Sequence, residues 1–320
     1  MPTVSFIIPV KPGGTVRALD NLRQLSAVPS TYEVLVAEGC RPSRQRNQAA
    51  HEAGGDILYF LDDDSRVSPD CLNSCLPLFS DPAVAVAGGP SLTPPDDTPL
   101  QQLFGQALSS PFGAGGVRNR YRRHGALRST TDKELILCNL AIRREVFLEA
   151  GGLDERLYPN EENELLDRIQ SEGGKLLHSP DMAVYRSQRP TLRQFIRQMM
   201  SYGRGRAQQT LISGNISLIG FVPLLFLLYL LALPFSTRLP LATFPLYSYL
   251  ALDLVFTLAA AFSSSSWQSL YLFTLFPLMH LSNGFGLLRG LLGGKQGISA
   301  ITADAPVTIR KIKAFDQNDW

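Results

Sequence analysis

No glycine-rich phosphate loop follows the first apolar run of this chain. Val4-Ser5-Phe6-Ile7-Ile8-Pro9-Val10 leads into Lys11-Pro12-Gly13-Gly14, not into Gly-x-Gly-x-x-Gly, and no Gly-Lys-Ser/Thr occurs. The dinucleotide fingerprint and the P-loop are therefore absent. Cysteine is scarce: Cys40, Cys71, Cys75 and Cys138 show no paired zinc spacing, and Cys71 and Cys75, one helical turn apart, read as packing. Charge of one sign is lacking too. Thirty Lys and Arg against 28 Asp and Glu leave a net charge of +2, which argues against a nucleic-acid binder. Residues 1–10 are too short and lack the charged start of a signal peptide, so the N-terminal part is expected in the cytosol. Repeats and low-complexity tracts are missing. From Gly214 to Gly294 charge itself nearly disappears, leaving only Arg238, Asp253 and Arg289 among Leu, Phe and Tyr. That composition belongs in a bilayer.

What the chain does contain centres on Gly54-Gly55-Asp56-Ile57-Leu58-Tyr59-Phe60-Leu61-Asp62-Asp63-Asp64. A short apolar run after a Gly pair reads as a buried strand of a parallel sheet. Three carboxylates at a strand end repel one another, so folding alone gives no reason for them. A hard divalent cation, Mg²⁺ or Mn²⁺, would supply one, because it prefers oxygen ligands and leaves room for substrate phosphates. A solvated acidic turn before a helix at Ser68-Pro69-Asp70 is the plainer alternative.

Around this stretch the elements alternate. Strand 4–10, helix 15–25, strand 32–37, helix 44–53 and strand 57–61 form a doubly wound nucleotide-binding half, giving an α/β fold. A helix over 71–79 and a strand over 83–89 follow. Residues 91–132 are rich in Gly, Pro and Arg with little periodicity, and read as a long irregular loop. Its Arg118, Arg120, Arg122, Arg123 and His124 either meet phosphates or form a solvated basic loop. A strand over 135–142 and a helix opening at Arg143 lead to Asn160-Glu161-Glu162-Asn163-Glu164, a helix start with more acid than capping requires.

Taken in order, these pieces resemble the inverting family 2 glycosyltransferases of GT-A fold, especially membrane-anchored ones of the succinoglycan-biosynthesis type. The carriers are Phe6 to Val10, Arg46-Asn47, Phe60 to Asp64, Ala141 to Phe147, Gly151-Gly152-Leu153-Asp154-Glu155, Asn160 to Leu165 and Tyr202-Gly203-Arg204-Gly205-Arg206. The resemblance implies that Asp62 and Asp64 hold the metal, and that Glu162 is the base that deprotonates the acceptor. It places Pro9, Glu38, Arg46, Asp62, Asp63, Arg197 and Gln198 at the nucleotide-sugar donor, with a lipid-linked or saccharide acceptor. Three departures stand out. Lys11-Pro12-Gly13 replaces the family's Tyr-Asn-Glu, Glu38-Gly39-Cys40 replaces Asp-Asp/Gly-Ser, and the base is Glu instead of Asp. The first two sustain a second reading, a catalytically weak GT-A scaffold in a polysaccharide-assembly complex.

The expected organisation is a GT-A domain over 1–190, an amphipathic interfacial helix over 191–213, transmembrane helices over 214–292 and a C-terminal tail over 293–320. Residues 216–235 and 241–262 are each long enough to span, and 267–288 is a third candidate. The arginines before Ile216 put the catalytic domain on the cytosolic side of the inner membrane. Three spans would leave Lys295, Arg310, Lys311 and Lys313 outside, whereas two spans plus a re-entrant third would keep them inside; three are favoured. His280 and Asn283 are expected at helix–helix contacts. The sequence says nothing about the oligomer.

Overall fold

The computed structural model describes residues 2–26, 31–214, 218–236, 241–294 and 306–317. They divide into two compact units, one built from 2–92, 119–187 and 306–317, the other from 93–118 and 188–294.

The first unit is α/β. Its elements begin with β1 (Val4–Val10), α1 (Ala18–Leu22), β2 (Tyr32–Glu38), α2 (Pro42–Glu52) and β3 (Ile57–Leu61), continuing through α3 (Cys71–Cys75), β4 (Val84–Gly88) and β5 (Ser91–Leu92). The second unit interposes α4 (Pro99–Ser109) and α5 (Pro111–Ala114). The first unit resumes with β6 (Arg128–Ser129), β7 (Asn139–Arg143), α6 (Arg144–Glu149), α7 (Glu161–Ser171), β8 (Lys175–His178) and β9 (Val184–Tyr185). The second then supplies α8 (Leu192–Ser213), α9 (Val222–Ala232), α10 (Phe244–Ser264) and α11 (Leu272–Gly293), and β10 (Thr308–Lys313) returns to the first.

The eight-stranded sheet runs β10-β2-β1-β3-β7-β4-β8-β6. β1 pairs in parallel with both β2 and β3, so Val4 lies beside Tyr32 on one side and Ile57 on the other. Side chains alternate across it, as period 2 requires. Val4, Phe6, Ile8, Val34, Val36, Tyr59 and Leu61 pack one face with Leu22, Cys71 and Cys75; Ile7, Leu35, Leu58 and Phe60 pack the other with Phe147, Leu165 and Ile169. Both faces are covered, and this is why β3 reads as a continuous apolar run. Cys71 and Cys75 are core residues, as their spacing suggested.

Two expectations are corrected here. Residues 91–132 are not one irregular loop: Pro99–Ser109 is a helix, started by a capping box between Thr98 and Gln101. The 293–320 segment is not simply a tail, because Thr308–Lys313 pairs antiparallel with β2, Ile309 opposite Ala37. The ends of β10 are secured by side chains: Lys311 Nζ lies 2.7 Å from Glu33 Oε2, and Lys313 Nζ donates to the Tyr32 carbonyl at 2.9 Å. A strand sharing the sheet of β2 must lie on the same side of any membrane as β2. Three complete spans, with Arg310, Lys311 and Lys313 outside, are incompatible with that pairing. Ile216, Arg238 and Lys295 lie outside the described residues.

In the second unit α8 and α11 cross at a backbone-close contact. A Cβ on Gly203 would collide with the Asn283 carbonyl, and one on Gly286 with the Met200 carbonyl. Only glycine admits that approach. His280 Nε2 lies 3.0 Å from the Phe112 carbonyl and its Nδ1 2.8 Å from the Tyr249 hydroxyl, while Asn283 Nδ2 donates to the Met199 carbonyl. Both polar residues make contacts between helices, as expected. Leu218–Phe235 and Phe244–Ser264 are long and apolar enough to cross a membrane. Many of their apolar side chains are exposed, Leu218 to 80 % and Phe262 to 81 %, while Leu224 is buried.

Candidate active site

The carboxyl end of β3 delivers the acidic triplet, and two other elements bring arginines to it. The turn is pinned first: the Asp62 backbone N–H donates to Ser65 Oγ at 3.1 Å, and Ala18 N–H donates to the Asp63 carbonyl at 3.0 Å. Arg46 arrives on α2, whose Gln45 side chain binds the carbonyls of Val10 and Ala37 at the ends of β1 and β2. Its Nη2 donates to Asp62 Oδ1 at 2.6 Å. Arg186 arrives just after β9; its Nη2 lies 3.1 Å from Asp62 Oδ2 and its Nε 2.8 Å from Asp64 Oδ1. One guanidinium therefore touches both outer carboxylates. Asp63 is half-buried, and burial followed by the charges of Asp64 and Asp62 pushes its carboxyl up from the ordinary value.

The second acidic cluster is connected to the first through the same arginine. Arg46 Nη1 lies 3.7 Å from Glu161 Oε1, so contacts run unbroken through Glu161, Arg46, Asp62, Arg186 and Asp64. Chain entry into α7 uses Asn160 in the left-handed region, φ 86°. Glu161 and Glu162 follow, both buried. Burial, and after it the Glu162 charge, raises the Glu161 carboxyl to about 8 against the opposing effect of Arg46. Its Oε2 is buried with no hydrogen-bond partner. Glu162 Oε1 lies 3.3 Å from Arg120 Nη1. Arg120 also bonds Asn163 Oδ1 and the carbonyls of Lys133 and Asp132. Glu164 is held by Arg168 at 2.7 Å, and Arg168 reaches on to the Ala150 and Gly152 carbonyls. Those carbonyls belong to the Gly-Gly turn. Gly152 has φ 71°, and a Cβ there would stand 2.7 Å from Asn47 Oδ1, the atom that accepts from Leu153 N–H.

The other candidates have the following partners. Glu38 ends β2, where Gly13 N–H donates to its Oε1 at 3.4 Å and Arg310 of β10 approaches its Oε2 at 3.3 Å. Pro9 is buried in β1. Arg197 and Gln198 sit on α8 of the second unit, where Gln198 donates to the Tyr202 hydroxyl at 2.7 Å. Of the five basic residues in 118–124, Arg120 and Arg122 bind protein groups internally, and Arg123 and His124 are exposed.

The chain matches the family described as "Glycosyl transferase family group 2" over residues 57–264, more than half its length. The chain belongs to that family. A pre-mycofactocin glycosyltransferase of Mycobacterium tuberculosis is 25 % identical over 226 residues, covering 64 % of this chain and 47 % of the relative. The chain thus spans about half the length of the curated relatives it matches. Among solved structures, the mannosyltransferase PcManGT from Pyrobaculum calidifontis, in complex with GDP-Man and Mn²⁺, aligns with a TM-score of 0.54 at 18 % identity. The alignment covers 91 % of this chain and 87 % of that one. S. aureus TarS 1–349 aligns over 90 % of this chain and 91 % of its own at a TM-score of 0.46 and 11 % identity. The GT-A fold expected from the sequence is the fold observed.

Arg186 and Arg120, which hold the candidate carboxylates, carry no distinguishing sequence signal. Arg186 follows a two-residue strand and no local motif marks it. Arg120 was noticed only as one of a basic run; its partner Glu162 is 42 residues away.

Among the described residues no group of three or more His, Cys, Asp or Glu side chains converges as a metal site. The donor chemistry of the triplet nevertheless suits a hard cation. Asp62 and Asp64 each turn an oxygen onto one positive group, the Arg186 guanidinium, so both can face a common centre.

Proposed function

We propose that the chain is a membrane-bound inverting glycosyltransferase that moves a sugar from a nucleotide-diphosphate donor to a lipid-linked or polysaccharide acceptor, as in succinoglycan-type assembly. The observation that carries this reading is the convergence of Asp62 and Asp64 on one cationic position at the carboxyl end of a central strand. Ligands of open α/β sheets bind there. Family membership supports it, as does the GDP-Man and Mn²⁺ named with the Pyrobaculum fold relative. Asp62 and Asp64 would hold a divalent cation, Mg²⁺ or Mn²⁺, which when bound stabilises the charge that builds on the leaving diphosphate.

The protein groups do the rest. Arg46 keeps Asp62 oriented by its 2.6 Å bond and links it to the start of α7. Glu162 takes the proton from the acceptor hydroxyl, whose oxygen bonds to the anomeric carbon as the bond to the diphosphate breaks. One displacement inverts that carbon. Glu161, its carboxyl raised by burial, stands beside Glu162 and is linked to Asp62 through Arg46. Glu38 and Pro9 are assigned to the nucleotide side, and the assignment of Arg197 and Gln198 to the diphosphate rests on the family resemblance.

Leu218–Phe235 and Phe244–Ser264 form the two crossings. An even number is what the return of β10 to the sheet demands, and the arginines of α8 favour a cytosolic catalytic unit. The test is nucleoside-diphosphate release from radiolabelled GDP-mannose and UDP-GlcNAc by membranes containing the protein, with Mn²⁺ or EDTA. Release should require the cation and should fall by ~10² or more in Asp64→Ala. Absence of release from a broad donor panel would favour the scaffold reading, which Lys11-Pro12-Gly13 and the Arg310-bound Glu38 motivate.

A further inference from the structure

We propose that Arg186 is a built-in counter-cation: it holds the Asp62–Asp64 position in the cation-free protein, and a divalent cation enters by displacing it. The proposal rests on the reading above that these carboxylates take such a cation.

Three observations carry it. The contact is shared. Arg186 spends Nη2 on Asp62 and Nε on Asp64, at 3.1 and 2.8 Å, the same two carboxylates assigned to the cation. The backbone that delivers it is tied on several sides. Val184 N–H donates to the Pro90 carbonyl at 3.0 Å and Arg186 N–H to the Leu92 carbonyl at 2.9 Å, while Tyr185 and Arg66 exchange backbone bonds at 2.9 and 2.8 Å. Its side chain has no such ties and remains 24 % exposed, so it can leave while the strand stays. Finally, the charges require something there. Asp62, Asp63 and Asp64 are consecutive, and Arg46 reaches only Asp62. Without a second positive group Asp64 would face its neighbours unneutralised.

A guanidinium and a divalent ion cannot share this position, because like charges a few ångströms apart repel strongly at a partly buried site. Arg186 must therefore lower the affinity for a bare cation. Once displaced, it remains anchored beside the same carboxylates, and its planar fork suits the oxygens of a diphosphate. Donor and cation would then load together, the diphosphate receiving the arginine that the carboxylates release.

The experiment uses the full chain in detergent and Mn²⁺ alone, without nucleotide sugar, with free Mn²⁺ followed by its electron paramagnetic resonance signal. Arg186→Met should bind Mn²⁺ about tenfold or more tightly than wild type. Arg186→Lys should fall between them, since an ammonium keeps the charge but reaches one carboxylate. Adding Asp64→Ala to Arg186→Met should abolish the gain. Equal or weaker Mn²⁺ binding by Arg186→Met overturns the proposal, and so does a gain that survives Asp64→Ala. If Arg186→Met does not fold, Arg186→Lys decides, and binding no tighter than wild type overturns it. Failure of the glycosyltransferase reading looks different: no donor turnover by a wild-type protein whose Mn²⁺ binding is intact.

Discussion

Two acidic clusters stand within one unit, and each is answered by arginines in a different way. At Asp62–Asp64 the answering groups are Arg46 and Arg186, and Arg186 bonds its two carboxylates from a partly open position. At Glu161–Glu164 they are Arg120 and Arg168, each also committed to backbone carbonyls, Arg120 to Lys133 and Asp132, Arg168 to Ala150 and Gly152. The first arrangement suits exchange of one cation for another. The second suits a fixed geometry, the one the proposed base Glu162 would need. Arg46 belongs to both, and it couples the exchangeable end to the rigid one.

The largest expected effect is on Glu162. Glu162→Gln keeps the size and the Arg120 contact but cannot take a proton. Transfer should fall by roughly 10²–10⁴ with the melting temperature near wild type. Transfer within a few-fold of wild type would move the base elsewhere and erase the functional half of the contrast.

Removing the rigid cluster's arginine tests the structural half. Arg120→Met leaves buried Glu162, Asn163 and two carbonyls without their donor, and should cost roughly 3–5 kcal/mol in chemical denaturation. Arg186→Met, at the more open cluster, should cost less than Arg120→Met. Comparable losses in the two variants would remove the distinction.

A further test concerns pH. The Glu161 carboxyl stands near 8 in the folded protein against an ordinary 4.5. Its folded value is raised, so its contribution is complete below pH 4.5 and is lost as pH rises to about 8. Glu161→Gln should therefore match wild type near pH 5 and melt higher near pH 8.5. Parallel melting curves across that range would place Glu161 outside the buried set.

Much of this was legible because burial on both faces leaves a mark on sequence. Ile57–Leu61 and Val4–Val10 are apolar at nearly every position, since neither face of the sheet meets water. The acidic triplet and the acidic start of α7 stood out because like charges crowd there without a folding reason. What stayed hidden is equally physical. Thr308–Lys313, Thr-Ile-Arg-Lys-Ile-Lys, carries the exposed charges of an edge strand, and nothing local separates it from a tail. Thr93–Arg118 is broken by Pro and Gly, which masked the Thr98–Gln101 capping signal before α4. Arg186 acts across 122 residues of sequence on Asp64, a distance no motif can express.

The return of β10 to β2 also sets an order of events during synthesis. The hydrogen-bonding edge of β2 is formed early in translation, and the strand that covers it is encoded after every apolar helix. At ~5–20 residues per second that edge waits on the order of tens of seconds, a period in which α9 and α10 must already have left the ribosome. The nascent sheet therefore carries an open edge until the last apolar helix has been made. The Glu38–Arg310 pair can form only after everything before β10 has been synthesised.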